Sequence, residues 1–496
     1  MDLNEIRKEI DAIDDQLVRL FCQRMDCSRR VAEYKKANNL PVYVPAREQA
    51  ILEKLEAKAG PDFGPSVRAL YGHIFEISRS FQHDRNGTRP VYGLLGRRLG
   101  HSYSPRIHAD LGDYSYELFE KEPEELEAFL KEGHWSGLNV TIPYKKAVLP
   151  YMDELSPIAA RLGVVNTIVR RPDSTLYGHN TDAFGFRSMI ERGGFAVGGK
   201  KALVLGSGGA GTMAAAVLRE LGAHVVVISR SGEDHYDNLE RHHDAAFIIN
   251  ATPVGMAPDT DASPLSLEGF DALEGVLDLI YNPARTRLLQ DAEAKKIPCM
   301  NGLWMLVAQA KEAAAHFTGC DISDAVMEKI HRKLRLQMEN ILLIGMPGCG
   351  KSTVGKALAE KLGKTFVDAD SEIIALAGKS IPEIFAREGE EGFRRYETAV
   401  LDALRRRSGL VVATGGGCVT QPRNYPLLRQ NGTVFLLNRS LDKLPTDGRP
   451  LSQAGSLREM YAVRSPLYAR FADHSIDNDG ALEETIRQIT DILEAK

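Results

Sequence analysis

The sequence predicts a multidomain chain with an all-α N-terminal domain followed by two α/β domains. Its 496 residues correspond to roughly three or four domains of ordinary size. Apolar residues recur at helical spacing from Leu3 to Gln82, whereas short apolar runs separated by helical stretches begin at Pro90 and again at Asn340. The predicted domains are 1–86, 90–335 and 339–496.

Composition limits the functional classes. The chain is 43% hydrophobic and 26% charged with a formal net charge of −5, which excludes disordered and fibrous classes and predicts no nucleic-acid or membrane partner. Six cysteines without a CxxC pair argue against a disulfide scaffold, and with no apolar signal sequence at the N-terminus they predict a cytoplasmic protein. The uncharged, glycine-rich stretch Ala202–Leu218 is predicted to be strand, turn and helix rather than a membrane span.

The N-terminal helix carries an apolar seam and then two cations. The seam has heptad spacing and predicts a partner helix, hence a homodimer through the N-terminal helices. Arg24 and Lys35 continue the same spacing, and eleven residues bring both to one side of a helix. Buried cations require an anion, which is either a ligand or acidic residues of a neighbouring helix, unless this end of the helix is exposed to solvent. The seam consists of Leu3, Ile6, Ile10, Ile13, Leu17 and Leu20.

This segment resembles the all-helical chorismate mutase family, an intertwined dimer. The resemblance implies that the matching residues bind the two carboxylates and the ether oxygen of chorismate, with Arg7 supplied by the other protomer. Arg24, Lys35 and Gln82 would be catalytic, with Lys35 or Gln82 donating to the ether oxygen. A Claisen rearrangement needs only a held conformer and stabilised charge. The matching residues are Arg7, Arg24, Lys35, Arg47, Glu48, Ser78 and Gln82.

The middle domain contains a dinucleotide-binding fingerprint between a strand and a helix. Glycines at such a turn let a pyrophosphate approach the helix N-terminus. Ser229 and Arg230 follow the next strand, and an arginine at that position favours the 2′-phosphate of NADP over NAD. Asp234 stands at a position where related NADP enzymes often have a second arginine, which weakens this preference. The predicted cofactor loop is Gly206, Ser207, Gly208, Gly209, Ala210 and Gly211.

Polar motifs on both sides of this fingerprint resemble shikimate dehydrogenase. The resemblance implies a substrate lobe of 90–192 plus a C-terminal helix 303–335, an NADP lobe of 193–302, and reduction of 3-dehydroshikimate with NADPH. Lys145 would be the acid, oriented by Asp182, and hydroxyls would hold the substrate carboxylate. A quinate or amino-quinate dehydrogenase is the alternative. The matching residues are Ser102, Ser104, Asn139, Thr141, Lys145, Asn166, Asn180, Asp182, Tyr281 and Gln309.

The C-terminal domain begins with a GxxxxGKS loop after an apolar strand. Such a loop holds phosphates on its backbone amides, its lysine reaches the β and γ phosphates, and its serine binds Mg²⁺. Asp368 and Asp370 are predicted to lie on one face at the tip of the next strand, one near the metal and one near the acceptor hydroxyl. The predicted ATP contacts include Gly348, Gly350, Lys351, Ser352 and Thr353, with Ser352 and Asp368 at the metal.

The same domain resembles shikimate kinase. The resemblance implies that Asp370 binds or deprotonates the acceptor hydroxyl, and that Arg394, Gly416 and Arg464 bind shikimate. Arg449 would be a lid arginine at ATP, in a lid segment that is short for the family. A gluconate-type kinase and a nucleotide-bound regulatory domain are the alternatives.

Together the three resemblances predict a trifunctional shikimate-pathway enzyme that uses NADPH, ATP and Mg²⁺. The alternative is a bifunctional dehydrogenase and kinase whose helical domain dimerises the chain or senses an end product.

Overall fold

The structure is a computed structural model that describes residues 2–38, 40, 42, 44–86, 90–100, 102–112, 114–444 and 457–495. The chain forms two compact units. The first comprises Met1–Thr181 and Ala310–Ile322, and the second comprises Asp182–Gln309 and Ser323–Lys496. The predicted domain boundaries near residues 86–90 and 335–339 remain predictions.

The N-terminal region is all-α, as predicted. Helix α1 (Leu3–Ala37) begins at the N-cap Asp2, whose side chain accepts a hydrogen bond from the Asn4 amide. Helix α2 (Pro45–Asn86) is interrupted at Gly60, where φ is +74°, a conformation that favours glycine. The apolar seam of α1 is exposed in the single chain, with Leu3, Leu17 and Leu20 at 60%, 53% and 60% exposure.

A six-stranded sheet forms the rest of the first unit, in the order β2-β1-β3-β5-β6-β4. Strands β3 and β6 both pair antiparallel with β5, so this sheet is mixed. Leu95, Leu138 and Ile168 are fully buried in its core. The elements are β1 (Val91–Gly96), α3 (Ser104–Leu111), β2 (Ser115–Glu120), α4 (Leu126–Glu132), β3 (Gly137–Val140), β4 (Glu154–Leu155), α5 (Pro157–Leu162), β5 (Thr167–Arg170) and β6 (Leu176–His179).

The second unit begins with a five-stranded sheet in the order β11-β10-β9-β7-β8, with every pair parallel, as predicted for a nucleotide-binding lobe. The stretch Ala202–Leu218 forms strand, loop and helix. The elements are α6 (Asp182–Arg192), β7 (Lys201–Leu205), α7 (Gly209–Glu220), β8 (His224–Ile228), β9 (Phe247–Asn250), β10 (Gly275–Asp278), α8 (Arg287–Ala294) and β11 (Cys299–Asn301).

The predicted single helix over 303–335 is wrong in one respect, because two helices occupy it. Helix α9 (Leu303–Thr318) ends before Gly319, and α10 (Asp324–Met338) follows. Gly319 has φ of +67°, which ends a helix in the left-handed region.

The C-terminal part of the second unit is a parallel five-stranded sheet in the order β13-β14-β12-β15-β16, which confirms the predicted second α/β domain. Its core includes Leu343, Val411 and Phe435, all fully buried. The elements are β12 (Asn340–Ile344), α11 (Lys351–Leu362), β13 (Thr365–Asp368), α12 (Ala369–Ala377), α13 (Ile381–Arg405), β14 (Leu410–Ala413), α14 (Asn424–Arg429), β15 (Gly432–Asn438), α15 (Leu457–Phe471), β16 (His474–Asp477) and α16 (Leu482–Ala495). Among all the described helices, none combines the length and apolarity that crossing a membrane requires.

Candidate active sites

The helical domain holds a partly buried cation, Arg24, and a buried amide, Gln82. The Arg24 guanidinium lies 5.3 Å from the centre of the Phe75 ring. Its Nη1 and the Oε1 of Gln82 are both buried without a hydrogen-bond partner among the described residues. Because a buried polar atom without a partner is costly, the Arg24 donor fits an anionic group of a ligand, and the Gln82 oxygen, which accepts hydrogen bonds, fits a ligand hydroxyl.

A charge cluster surrounds Arg24. Burial lowers the pKa of Lys35, and the positive charge of Arg47 lowers it further. Burial raises the pKa of Glu48, while Arg79, Lys35 and Arg24 act in the opposite direction. Glu48 forms an ion pair with Arg79, a residue that the sequence interpretation missed although it directly follows Ser78 in the chain. One carboxylate therefore faces several cations here.

The other predicted mutase residues differ in placement. The Ser78 hydroxyl lies 2.6 Å from that of Ser28, and Arg47 is exposed. Arg7 lies seventeen residues before Arg24 on one continuous helix, a separation of about 25 Å at 1.5 Å per residue. Arg7 therefore lies outside the Arg24 cluster of its own chain.

In the first unit, hydrogen bonds join the predicted carboxylate-binding serines. The Ser104 amide donates to the Ser102 hydroxyl at 3.2 Å, and the Ser104 side chain is hydrogen-bonded to the partly buried Tyr116 phenol. Tyr116 donates to Asn139 Oδ1 at 2.7 Å, and Asn139 Nδ2 donates to Thr167 at 3.4 Å. Tyr116 and Thr167 are parts of this network that the sequence interpretation missed, because they lie in unremarkable strand segments.

The turn after β3 carries Thr141 and Lys145. The Val165 amide donates to the Lys145 carbonyl at 2.9 Å, which ties this turn to the segment that carries Asn166. Asn166 Oδ1 in turn accepts from the Thr181 amide at 2.7 Å. The structure thus fixes the backbone around Lys145 and Asn166 together.

Asn180 and Asp182 lie on either side of the division between the units. The Asn180 amide is buried and donates to the Val164 carbonyl at 3.1 Å. Asp182 is the first residue of α6, and the second unit also holds Tyr281 and Gln309. The pairing of Lys145 with Asp182 remains a prediction.

The dinucleotide loop follows β7 as predicted, and its residues fit a pyrophosphate. Gly206 has φ of +103°, and a Cβ on Gly211 would lie 1.9 Å from the Gly206 carbonyl oxygen. A Cβ on Gly208 or Gly209 would meet no atom within 4 Å. Gly211 therefore allows α7 to pack onto the loop, while Gly208 and Gly209 leave open space at the helix start. Ser207 and Ala210 are exposed at this edge.

Strand β8 ends at the predicted 2′-phosphate site. Arg230 is exposed and lies near Tyr236. Burial raises the pKa of Tyr236, and the positive charge of Arg230 acts in the opposite direction. The Asp234 carboxylate lies 2.8 Å from His242 Nε2 and 3.8 Å from Arg241. Because His242 and Arg241 both contact the Asp234 carboxylate, we expect its negative charge to repel a phosphate at Arg230 less strongly than the sequence alone predicts.

A buried carboxylate fixes the two loops that follow β9 and β10. Asp278 accepts hydrogen bonds from Thr286 Oγ1 at 2.6 Å, from Asn250 Nδ2 at 3.1 Å and from the Ile280 amide at 3.0 Å. Burial raises its pKa to about 6. Asp278 begins the DLIYNP motif that carries Tyr281, but no local pattern indicated that it links both loops.

The phosphate loop of the third domain follows β12. Lys351 is buried, and its Nζ donates to the carbonyls of Gly345 at 2.9 Å and Met346 at 3.0 Å. Gly350 has φ of +97° and caps α11, whose first turn carries Thr353. Gly348 also has positive φ, at +87°. These features agree with the predicted phosphate cradle.

The residues present fit a magnesium ion. Ser352 Oγ donates to Asp368 Oδ2 at 2.7 Å, and oxygen atoms of this kind are the ligands that Mg²⁺ prefers. Within the described part of the chain, no cluster of three or more histidine, cysteine or acidic side chains could hold a metal. Phosphate oxygens and water would complete the coordination.

The predicted geometry of the aspartate pair was wrong. Asp368 ends β13 and caps α12, and Asp370 already belongs to that helix. The two carboxylates therefore do not alternate along a strand. The Asp368 side chain instead accepts from the Asp370 amide at 3.1 Å, which ends the strand early. Both residues still line one cleft of about 530 Å³.

Arg394 and Arg464 line the same cleft. Arg394 is buried and donates to Glu397 Oε2 at 2.9 Å, and Arg464 donates to the Gly416 carbonyl at 3.2 Å. Burial raises the pKa of Glu397 to about 7, although Arg394 acts in the opposite direction. The sequence interpretation missed Glu397, three residues after Arg394. Arg394 Nε and Glu397 Oε1 are buried without partners among the described residues.

The predicted lid arginine, Arg449, lies outside the described residues.

Comparisons with known proteins match three separate segments of the chain to three families. Residues 6–83 match the family model of chorismate mutase type II, residues 94–168 that of the shikimate dehydrogenase substrate binding domain, and residues 347–494 that of shikimate kinase. A shikimate dehydrogenase (NADP(+)) of Clostridium perfringens is 34% identical over 267 residues, covering 49% of this chain and 98% of the relative. One of Thermus thermophilus is 38% identical over 259 residues, covering 49% and 97%.

The chain belongs to the shikimate dehydrogenase family. The two flanking matches confirm the predicted chorismate mutase and shikimate kinase domains. A solved chorismate mutase/shikimate 5-dehydrogenase fusion protein from Clostridium acetobutylicum is 34% identical and covers 50% of this chain and 97% of its own, with a TM-score of 0.48. The predicted fold class and the trifunctional shikimate-pathway assignment are confirmed at the level of these families.

The Glu397 carboxyl predicts a pH dependence of shikimate binding in the kinase domain. Between pH 6 and 8 Glu397 loses its proton and neutralises part of the Arg394 charge, so the KM for shikimate should rise about two- to fivefold. Initial rates at saturating MgATP measure this profile. Glu397→Gln should flatten it, whereas Glu390→Gln, which alters the exposed partner of Arg394, should retain it. A Glu397→Gln profile as steep as that of the unchanged protein would contradict the assignment.

Proposed function

We propose that the chain reduces 3-dehydroshikimate to shikimate with NADPH, phosphorylates shikimate with MgATP, and separately rearranges chorismate to prephenate. The observation that carries the proposal is that each family match contains its own cluster of cations or hydrogen-bond donors for an anionic substrate. The first two reactions share shikimate as product and substrate.

NADPH, when bound at the Gly206–Gly211 loop, supplies the hydride for the dehydrogenase reaction. Lys145 donates a proton to the carbonyl oxygen as it is reduced, and Asp182 orients the Lys145 ammonium. Ser102 and Ser104 hold the substrate carboxylate, supported by the hydrogen bonds that run from Ser104 through Tyr116 to Asn139. Thr141, Asn166, Tyr281 and Gln309 complete the substrate contacts.

MgATP supplies the phosphoryl group for the kinase reaction. Asp370 accepts the proton of the attacking hydroxyl, and Arg394 and Arg464 hold the carboxylate of shikimate. Support comes from the cleft that Lys351, Asp370, Arg394 and Arg464 line together.

The mutase reaction requires no nucleophile. Arg24 and Lys35 hold the carboxylates of chorismate in the reactive conformation, and Gln82 or Lys35 donates to the ether oxygen where charge develops. Arg24 Nη1 and Gln82 Oε1, which lack partners among the described residues, support a polar ligand at this position.

The active mutase is a homodimer in this proposal. The seam of α1 exposes apolar side chains at heptad spacing, which a second copy of the chain would cover. Arg7 lies too far from the Arg24 of its own chain to share its site, so the partner's copy of α1 would supply it. A cytoplasmic location also belongs to the proposal, supported by six cysteines that all remain thiols.

Three single substitutions test whether each domain catalyses its own reaction. Lys145→Met, Asp370→Asn and Arg24→Ala should each lower one activity by about a hundredfold or more and spare the other two. NADPH absorbance, ADP release and chorismate absorbance measure the three reactions on one preparation. Arg29→Ala, which alters an exposed arginine of the same helix, is the control for Arg24→Ala. Intact chorismate turnover in Arg24→Ala, or none in the unchanged protein, would leave the helical domain a sensing or dimerising module.

Mixing two inactive variants tests the shared site. If Arg7 acts in the partner's site, co-expressed Arg7→Ala and Arg24→Ala chains form mixed dimers with one intact site, restoring roughly a quarter of the mutase activity. Chorismate turnover of the mixture measures the restored activity, and sedimentation measures whether the chains form dimers. A monomer, or a mixture as inactive as each variant alone, would contradict the proposed dimer.

A further inference from the structure

Within the second unit, the kinase domain contacts the loop that carries Tyr281 of the dehydrogenase domain. The Ala284 amide donates to Asn431 Oδ1 at 2.7 Å, and the Arg285 amide donates to the Gln430 carbonyl at 2.9 Å. Gln430 and Asn431 are buried at 1% and 6% exposure. Two consecutive backbone groups of the dehydrogenase loop are thus paired with kinase residues just before β15.

The Arg285 side chain extends the same contact. Its Nη1 donates to the carbonyls of Arg429 at 2.9 Å and Gly432 at 3.1 Å, and its Nε donates to Glu293 at 2.8 Å. One guanidinium therefore joins the end of α14 and the start of β15 to the dehydrogenase lobe.

A second dehydrogenase loop, which follows the NATPVGM segment at residues 250–256, contacts Arg405 of the kinase domain. Arg405 is buried, and its guanidinium donates to Thr260 Oγ1 at 3.2 Å and to Asp261 Oδ1 at 2.6 Å. The same guanidinium donates to Gln430 Oε1 at 2.6 Å. The Ala257 amide donates to the Asn282 carbonyl at 3.1 Å, so the two dehydrogenase loops are also joined to each other.

Asn431 connects these contacts. Its Oδ1 accepts from Ala284, its Nδ2 donates to the Arg405 carbonyl at 2.8 Å, and its own carbonyl accepts from the Asn340 amide at 2.7 Å. One side chain thus links the Tyr281 loop to the segment that holds Arg405, and its backbone is bonded to the start of the kinase sheet. Residues 338 to 340 pass directly from α10 into β12, so almost no linker separates the domains.

The contacts lie close to the dehydrogenase site along the chain. Ala284 is three residues after Tyr281, at most about 10 Å of extended chain. Both loops leave the carboxyl ends of β9 and β10, the sheet edge at which α/β folds bind their ligands. A movement of Ala284 therefore reaches Tyr281, a substrate contact in the proposed function.

We propose that Asn431 and Arg405 of the kinase domain are positioning residues for the dehydrogenase reaction. They hold the Tyr281 loop and the loop after NATPVGM in the conformation that binds substrate and cofactor. The proposal rests on the dehydrogenase function proposed above. It predicts that the dehydrogenase domain of this chain depends on the kinase domain, whereas kinase turnover does not depend on these side-chain contacts.

Asn431→Ala in the full chain tests the proposal. Loss of the hydrogen bond to the Ala284 amide should raise the dehydrogenase KM for shikimate about five- to tenfold, with kcat changed less and kinase constants unchanged. Asn431→Asp should restore part of the affinity, because a carboxylate still accepts from that amide. Asn438→Ala, a matched change on β15 that removes a bond to Ser475, should leave the dehydrogenase KM unchanged.

The outcomes separate the two claims. An Asn431→Ala protein with native kinase activity and an unchanged dehydrogenase KM would overturn the positioning role. If Asn431→Ala abolishes both activities, Asp261→Ala decides, because Asp261 lies on an exposed loop and contacts Arg405; a raised dehydrogenase KM supports the role and an unchanged one overturns it. Failure of the unchanged protein to reduce 3-dehydroshikimate would instead contradict the proposed function.

Discussion

At the carboxyl edge of a parallel sheet, each strand passes into a loop and then a helix, so backbone amides at helix starts converge there. Strand β7 leads to the Gly206–Gly211 loop, and β12 leads to the phosphate loop at Lys351. A side chain on Gly211 would collide with the Gly206 carbonyl, so the sequence has little freedom at this turn. Both nucleotide-binding loops lie at the carboxyl edge of a parallel sheet because a strand there passes through a loop into a helix.

The helical domain has no such edge, and its site depends on charge. Arg7 lies within the part of α1 that carries the apolar seam, and Arg24 follows the last seam residue, Leu20. The cations around Glu48 outnumber it, which leaves positive charge for an anionic ligand. The whole chain has a net charge of −5, but individual sites are locally positive. The kinase cleft has Arg394 and Arg464, and the nucleotide lobe has Arg230.

Features encoded over a few consecutive residues could be predicted from the sequence. The GxGxxG and GKS loops, the helical period of α1 and the strand series all follow from local pattern. Features that need partners from distant segments could not: Tyr116 reaches Asn139, and Arg405 reaches Thr260 across 145 residues. The prediction that Asp370 continues the strand was wrong. The Asp368 side chain accepts a hydrogen bond from the Asp370 amide and caps a helix, so the strand ends at Asp368.

A chain that joins a shikimate dehydrogenase domain to a shikimate kinase domain should bind shikimate at two separate places. Calorimetric titration of the full chain with shikimate, with NADP⁺ present to complete the dehydrogenase site, measures this directly. We expect two shikimate molecules per chain, and Arg394→Ala should remove one binding event and leave the other. A single binding event per chain, or loss of all binding in Arg394→Ala, would show that the two domains do not hold separate shikimate sites.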